Sequence, residues 1–191
     1  MEGNYQGDRL IEAMKRIVLT GAECTGKSTL AQALSAHYRE PWTAEFVRSY
    51  VNQLDRELIQ ADLEEIFCGQ IAAEDASRAN SKRFVIHDTN LLSSIIYANH
   101  YFETTFDWAN ETLLERKYTL YLLCSPEGIQ WEQDPGQRDG PSAREELHSV
   151  FKESLEKLKL PYVELNGDKV LRLSQAVKAV SYTHLTLPTK A

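Results

Sequence analysis

The chain reads as an α/β fold, a series of βα units around a mostly parallel sheet, on three observations. Short β-branched runs alternate with amphipathic segments along most of the 191 residues. The runs RIVLT and YTLYLLC are almost wholly apolar, as strands covered on both faces are. A glycine-bearing loop joins the first of these strands directly to a helical segment.

The elements follow in order. Arg16–Thr20 is expected as the first strand, and its loop opens a helix over Lys27–Tyr38 in which Leu30, Leu34 and Tyr38 recur every four residues. Pro41 stops that helix, and Thr43–Phe46 is expected as a short second strand. Between Ala61 and Asn80, Leu63, Ile66, Phe67 and Ile71 fall at helical spacing. Arg83–His87 reads as a third strand ending at Asp88, Leu91–Tyr101 and Trp108–Arg116 as helices, and Tyr118–Cys124 as the next strand. Ser125–Pro141 is rich in Pro, Gly, Asp and Gln, too polar for a core and long enough for a mobile loop or lid. Ser142 and Glu145 have the spacing of a capping box before a stripe of Leu147, Val150, Phe151, Leu155 and Leu158. Tyr162–Leu165 is the last strand, Asn166-Gly167-Asp168 a turn, and Lys169–Val180 a closing helix. Residues 1–14 are thus expected as an extension, 15–180 as one domain with a lid at about 125–144, and 181–191 as a tail outside the fold.

Composition removes several classes of function. With 21 Lys and Arg against 28 Asp and Glu, the net charge is −7. Nucleic acid is therefore not an expected general partner, because binding to its backbone draws on clustered basic residues. No apolar run approaches the ~18 residues of a membrane span, so no membrane insertion is expected. Cys24, Cys68 and Cys124 are odd in number, far apart and without a CxxC pair, which argues against disulfides or structural zinc and for a reducing, cytoplasmic setting. Cys68 and Cys124 are expected to be buried. The five histidines form no HExxH and Ser93-Ser94 no GxSxG, so zinc hydrolysis and serine hydrolysis lack support.

Gly21-Ala22-Glu23-Cys24-Thr25-Gly26-Lys27-Ser28 matches the phosphate-binding pattern GxxxxGK[ST] at every fixed position, a coincidence on the order of one in a hundred for a chain of this length. Its place between strand and helix brings backbone N–H groups and a helix N-terminus toward a β-phosphate. Lys27 would reach the β- and γ-phosphates and the Ser28 hydroxyl would bind Mg²⁺, with Thr29 next on the helix. The ligands implied are ATP and Mg²⁺.

Asp88 follows the third strand, where a parallel sheet presents its carboxyl edge to the same crevice, and could hold Mg²⁺ or cap the next helix. Glu45 and Arg48 follow the second strand. The carboxylate could accept a proton from a substrate hydroxyl and the arginine balance phosphate charge, or the two could be an ordinary i, i+3 ion pair. Arg138 and Arg144 flank Asp139-Gly140-Pro141 in the polar loop, where a lid could deliver them to a migrating phosphate; Trp131 could stack on a base or anchor the lid.

The segments GAECTGKSTL, AEFVRSYV, FVIHDTNLLSS and YLLCSPEGIQWEQDPGQRDGPSAR resemble, in order and spacing, the nicotinamide riboside kinase domain of NadR-type proteins and their stand-alone relatives. The resemblance spans about Lys15 to Val180. It implies a P-loop NTPase fold of the nucleoside and nucleotide kinase kind, a three-layer sandwich with a central five-stranded parallel sheet. It also implies a small-molecule acceptor, nicotinamide riboside, phosphorylated by ATP on its ribose 5′-hydroxyl to nicotinamide mononucleotide. On this resemblance Glu45 and Arg48 fall on the family's Glu and Arg after the second strand, Asp88-Thr89 on its Asp-Thr, and Arg138 on its lid arginine. The lid departs from the family's common Asp-Gly-Leu-Arg, since Pro135 stands within Asp134-Pro135-Gly136-Gln137-Arg138, and Ala44 stands where some members carry an aromatic. A kinase for another nucleoside or small alcohol, and a regulatory ATPase without a small-molecule acceptor, remain the alternatives.

Overall fold

Ile17, Val18 and Leu19 expose nothing to solvent, so their strand must lie between other strands and between two helical layers. The computed structural model, which describes residues 14–132 and 140–185, places it there. Five parallel strands run in the order β2-β3-β1-β4-β5: β1 Lys15–Thr20, β2 Trp42–Thr43, β3 Phe84–Asp88, β4 Leu120–Cys124 and β5 Tyr162–Leu165. Side chains alternate along β1. Ile17 and Leu19 join a cluster with α1 (Lys27–Tyr38), which supplies Leu30 and Leu34, and α7 (Lys169–Leu185), which supplies Ala176 and Val180. Val18 faces the other way, toward α3 (Leu63–Arg78), α4 (Leu91–Phe102), α5 (Asp107–Glu115) and α6 (Pro141–Lys157), whose Phe67, Leu92, Leu113 and Phe151 form the larger core. The result is the expected three-layer sandwich with a five-stranded parallel sheet.

Four local expectations are corrected. The second strand lies earlier than Thr43–Phe46 because Phe46 begins a short helix, α2 (Phe46–Val51), instead. That helix packs on α3 at Gly69, where a Cβ would come within 2.2 Å of the Phe46 ring. The Ser142/Glu145 capping box is not used: α6 starts two residues sooner, with Gly140 at the N-cap and no side-chain cap, and Pro141 suits the first turn because it has no N–H to leave unpaired. Cys68 is exposed, since α3 turns Leu63, Ile66, Phe67, Gln70 and Glu74 inward; Cys124 is buried as expected. Finally, α7 continues past Val180 to Leu185. Ser181 Oγ lies 3.3 Å from the Tyr38 hydroxyl and Lys15 Nζ donates to the Thr183 carbonyl at 3.4 Å, so residues 181–185 extend the helix where a tail was expected. Residues 1–13, 133–139 and 186–191, and with them Arg138 and the middle of the lid, lie outside the described residues.

Candidate active site

Parallel pairing puts the carboxyl ends of neighbouring strands side by side. Leu19 on β1 pairs with Asp88 on β3, so the loop leaving β1 and the carboxylate ending β3 share one edge of the sheet. Glycine is obligatory at the loop's start: Gly21 has φ +129°, and a Cβ there would lie 2.8 Å from the Cys124 carbonyl oxygen. Inside the turn, the Thr25 hydroxyl donates to the Ala22 carbonyl at 2.8 Å, and Lys27 Nζ folds back onto the same carbonyl at 2.7 Å. Gly21 and Ala22 are buried behind the loop, whereas Glu23 to Thr29 line an open groove of about 1430 Å³.

Glu45, two residues past β2, and Asp88, the last residue of β3, both lie within electrostatic reach of Lys27. Asp88 is 2% exposed, and burial pushes its carboxyl up, opposed by a hydrogen bond from the Ser28 hydroxyl and by the charges of Lys27 and Arg48. Its Oδ1 has no hydrogen-bond partner, and the capping of α4 falls instead to Asn90, whose side chain accepts from the Leu92 N–H at 3.2 Å. A buried, half-satisfied carboxylate oxygen beside a serine hydroxyl suits a hard cation such as Mg²⁺, with nucleotide phosphates and water completing its shell. Among the described residues no group of three or more His, Cys, Asp or Glu could hold a metal alone.

Glu45 stands at the N-cap of α2, with 20% of its side chain exposed and Arg48 Nε 3.8 Å away. Its enclosure raises the carboxyl's pKa; Lys27 opposes that rise, Asp88 adds to it and Arg48 opposes it. A carboxyl held up in this way beside a phosphate-binding lysine is suited to take a proton. A smaller cavity of about 240 Å³ adjoins it, lined by Gln32, Trp42, Ala44 and Ser49 as well as by Ser28, Glu45, Arg48 and Asp88. Arg144, 11% exposed, donates to the Cys24 carbonyl at 3.3 Å and to the Ile129 carbonyl at 3.1 Å, and lies 5.6 Å over the Trp131 ring. It braces the phosphate loop from the first turn of α6.

A family model described as an AAA domain matches residues 16–172. The chain belongs to that family. The AAA domain found here also shares its fold with solved structures. A NadR protein in complex with NR superposes with a TM-score of 0.72 at 24% identity, over 93% of this chain and 54% of that one. A NadR protein with NAD and AMP-PNP gives 0.71 at 22%, over 93% and 52%. The Bacillus subtilis YorR protein in complex with phosphorylated GDP gives 0.57 at 15%, over 91% and 100%. The chain spans about half the length of the NadR chains it matches, and at these identities the likeness is one of fold.

Three features of this AAA domain's site escaped the sequence reading. Arg172, 2% exposed on α7, donates to the Thr25 carbonyl at 3.0 Å, to that of Ser125 at 2.7 Å and to that of Gly167 at 2.7 Å, tying the phosphate loop to the two loops that wall the groove beside it. Tyr97 and Tyr101, one turn apart on α4, stack with centroids 5.8 Å apart and line the same groove as the phosphate loop, as does Phe102. Gln70 on α3 accepts the N–H of Phe46, the residue after Glu45, at 3.0 Å. Arginine and glutamine at helical spacing carry no signal of such roles, although the four-residue spacing of Tyr97 and Tyr101 is visible in the sequence.

Proposed function

We propose that the chain is an ATP-dependent kinase that phosphorylates the ribose 5′-hydroxyl of nicotinamide riboside. The observation that carries the proposal is that Glu45, with its raised pKa, lines the same groove as the phosphate loop and the aromatic side chains of Tyr97, Tyr101 and Phe102. In this reading Glu45 takes the hydroxyl proton as the oxygen attacks the γ-phosphorus. The bond from that phosphorus to the β–γ bridging oxygen breaks, and the products are nicotinamide mononucleotide and ADP. Lys27 leaves its resting place on the Ala22 carbonyl for the β- and γ-phosphate oxygens, and the loop N–H groups hold the β-phosphate. Ser28 and Asp88 would hold Mg²⁺, which when bound supplies positive charge to those oxygens. Arg138 is proposed to reach the migrating phosphoryl group from the lid, and Arg48 and Arg144 to balance phosphate charge around it.

The acceptor's identity is supported by the four resembling segments, by the fold shared with a NadR protein solved with NR, which we read as nicotinamide riboside, and by the Tyr97, Tyr101 and Phe102 surfaces that suit a flat aromatic base. The test is nicotinamide mononucleotide formation by the purified protein with MgATP, alongside a panel of other nucleosides. Product from nicotinamide riboside at the highest kcat/KM is the expected result. A better rate on another nucleoside replaces the acceptor, and ATP hydrolysis unaffected by every acceptor removes the kinase reading.

A further inference from the structure

An N-cap residue ordinarily turns its side chain back on the free N–H groups that open its helix. Glu45 occupies that position at the start of α2 and makes no such bond. The first N–H of the helix is satisfied from elsewhere: Gln70, 2% exposed on α3, presents Oε1 to the Phe46 N–H at 3.0 Å. The other end of the same amide points at the second carboxylate's loop. Nε2 donates to the Thr89 carbonyl at 3.5 Å and to Glu74 Oε1 at 3.4 Å. Thr89 directly follows Asp88 and is held at φ +66°, a left-handed conformation that a β-branched residue adopts only under constraint.

We infer that Gln70 is a positioning residue that takes over the Phe46 N–H so that the Glu45 carboxylate stays free in the groove, while its amide nitrogen steadies the turn behind Asp88. It touches neither phosphate nor acceptor in this role; it acts through the backbone on both sides of the two carboxylates. A neutral side chain is required. A carboxylate could accept the Phe46 N–H, but could not donate to Thr89 or Glu74, and it would add a negative charge directly beside Glu74 as well as near Glu45 and Asp88. A hydrocarbon of the same length would leave the Phe46 N–H without its acceptor, and the carboxylate of Glu45, the residue before it, could then fold back onto the open helix end.

The catalytic meaning of this inference rests on the kinase reading, but its geometry does not, and the test separates the two. The Glu45 carboxyl is followed by ¹³C NMR titration, and the Phe46 amide by hydrogen exchange, in the full chain without nucleotide, for wild type, Gln70→Met and Gln70→Glu. The groups facing Glu45 are Lys27 from the phosphate loop, Asp88 from β3 and Arg48 from α2, and none of them is altered. In Gln70→Met the Glu45 carboxylate is expected to turn back onto the helix end, lowering its pKa. In Gln70→Glu the Phe46 amide is expected to keep its protection, and the added charge to raise the Glu45 pKa. Opposite movements in two folded variants are not what general loosening produces. In the coupled assay, Gln70→Met is expected to lose about tenfold in kcat with KM for ATP within about twofold. An unchanged Glu45 titration and an unchanged Phe46 exchange rate in Gln70→Met overturn the inference whatever the activity. If both move as expected while wild type makes no product from any acceptor, Gln70's role stands and the kinase reading falls.

Discussion

Two clusters of buried charge flank β3, and they are built on opposite principles. At the amino end of the sheet, Glu74 is fully enclosed and has partners on both oxygens: Oε2 accepts from the Tyr118 hydroxyl at 2.7 Å and from Arg116 at 3.1 Å, and Oε1 from Gln70 at 3.4 Å. Arg116 also pairs with Asp75 at 2.7 Å, and Arg16 donates to the Arg116 carbonyl at 3.1 Å. At the carboxyl end, the charge of Asp88 adds to the rise at Glu45, Asp88 Oδ1 lacks a partner, and Lys27 rests on a backbone carbonyl. Burial raises the carboxyl pKa of Glu74 and of Asp88 alike, but only the first cluster surrounds its charge with a closed set of donors. A complete network is what stability asks of a buried ion; an incomplete one leaves oxygens and a lysine for a ligand to complete.

The comparison is sharpened most by rates. Lys27→Ala is expected to abolish measurable nucleotide binding and turnover together, because its charge contacts phosphates in both ground and transition states. Glu45→Gln is expected to keep nucleotide affinity and lose ~10² to 10⁴ in kcat, since only proton transfer is removed. Isothermal titration with a non-hydrolysable ATP analogue and steady-state assays of both variants check this. A Glu45→Gln enzyme as fast as wild type breaks the assignment of a base.

The paired cluster is expected to answer in stability instead. Arg116→Met leaves Glu74 buried with only the neutral donors of Tyr118 and Gln70 and is expected to cost ~3 to 5 kcal/mol in urea unfolding, with kcat of the folded fraction unchanged. A loss under ~1 kcal/mol shows that the network is not holding the charge.

How much of this contrast the sequence shows depends on how far apart the partners lie along the chain. The phosphate loop is legible because its whole logic sits in eight adjacent residues, and Glu45 and Asp88 because each lies where a strand ends, Asp88 as the last residue of β3 and Glu45 two residues past β2. Gln70 meets Phe46 24 residues away, Arg116 meets Glu74 across 42, and Arg172 meets Thr25 across 147. Nothing local marks such residues, since a buried arginine and a surface arginine occupy the same position in a helical pattern until the partner carbonyls are known. The second strand was misplaced for a related reason. TAEF suits a strand locally, but Phe46 packs on Gly69 as the first residue of a helix.

His87 tests the paired side by pH. It lies on β3 within reach of both Arg16 and Arg116, and burial followed by those two charges holds its pKa down to about 3, with Nδ1 at 3.1 Å from the Thr43 hydroxyl. Above the ordinary value of 6.5 neither folded nor unfolded chain protonates it. Below 6.5 the unfolded chain takes up a proton that the folded chain refuses, so stability falls as pH drops toward 3, by ~2 kcal/mol already at pH 5. His87→Gln is expected to lose that part of the acid sensitivity. Equal pH 7.5 to pH 5 differences in urea unfolding for variant and wild type contradict the buried neutral histidine.

The smallest effect has the opposite sign and belongs to the open cluster. Asp88→Asn removes a charge that the fold buries without closing its donors, so it is expected to stabilise the ligand-free protein, by about 0.5 to 1 kcal/mol, while turnover falls with the loss of the cation ligand. The pH dependence follows from the raised folded pKa of Asp88. At neutral pH the wild type carries the strained carboxylate and the variant does not. As pH falls through that raised value the wild type protonates and the strain is relieved, so the variant's advantage shrinks and is gone below the ordinary value of 3.8. Measured against His87→Gln, whose advantage grows on acidification, the two neighbours on β3 should give stability differences that diverge with pH. A site variant that destabilises at pH 7 would place Asp88 with Glu74, as a charge the fold needs, and would remove the distinction between the two clusters at its most direct point.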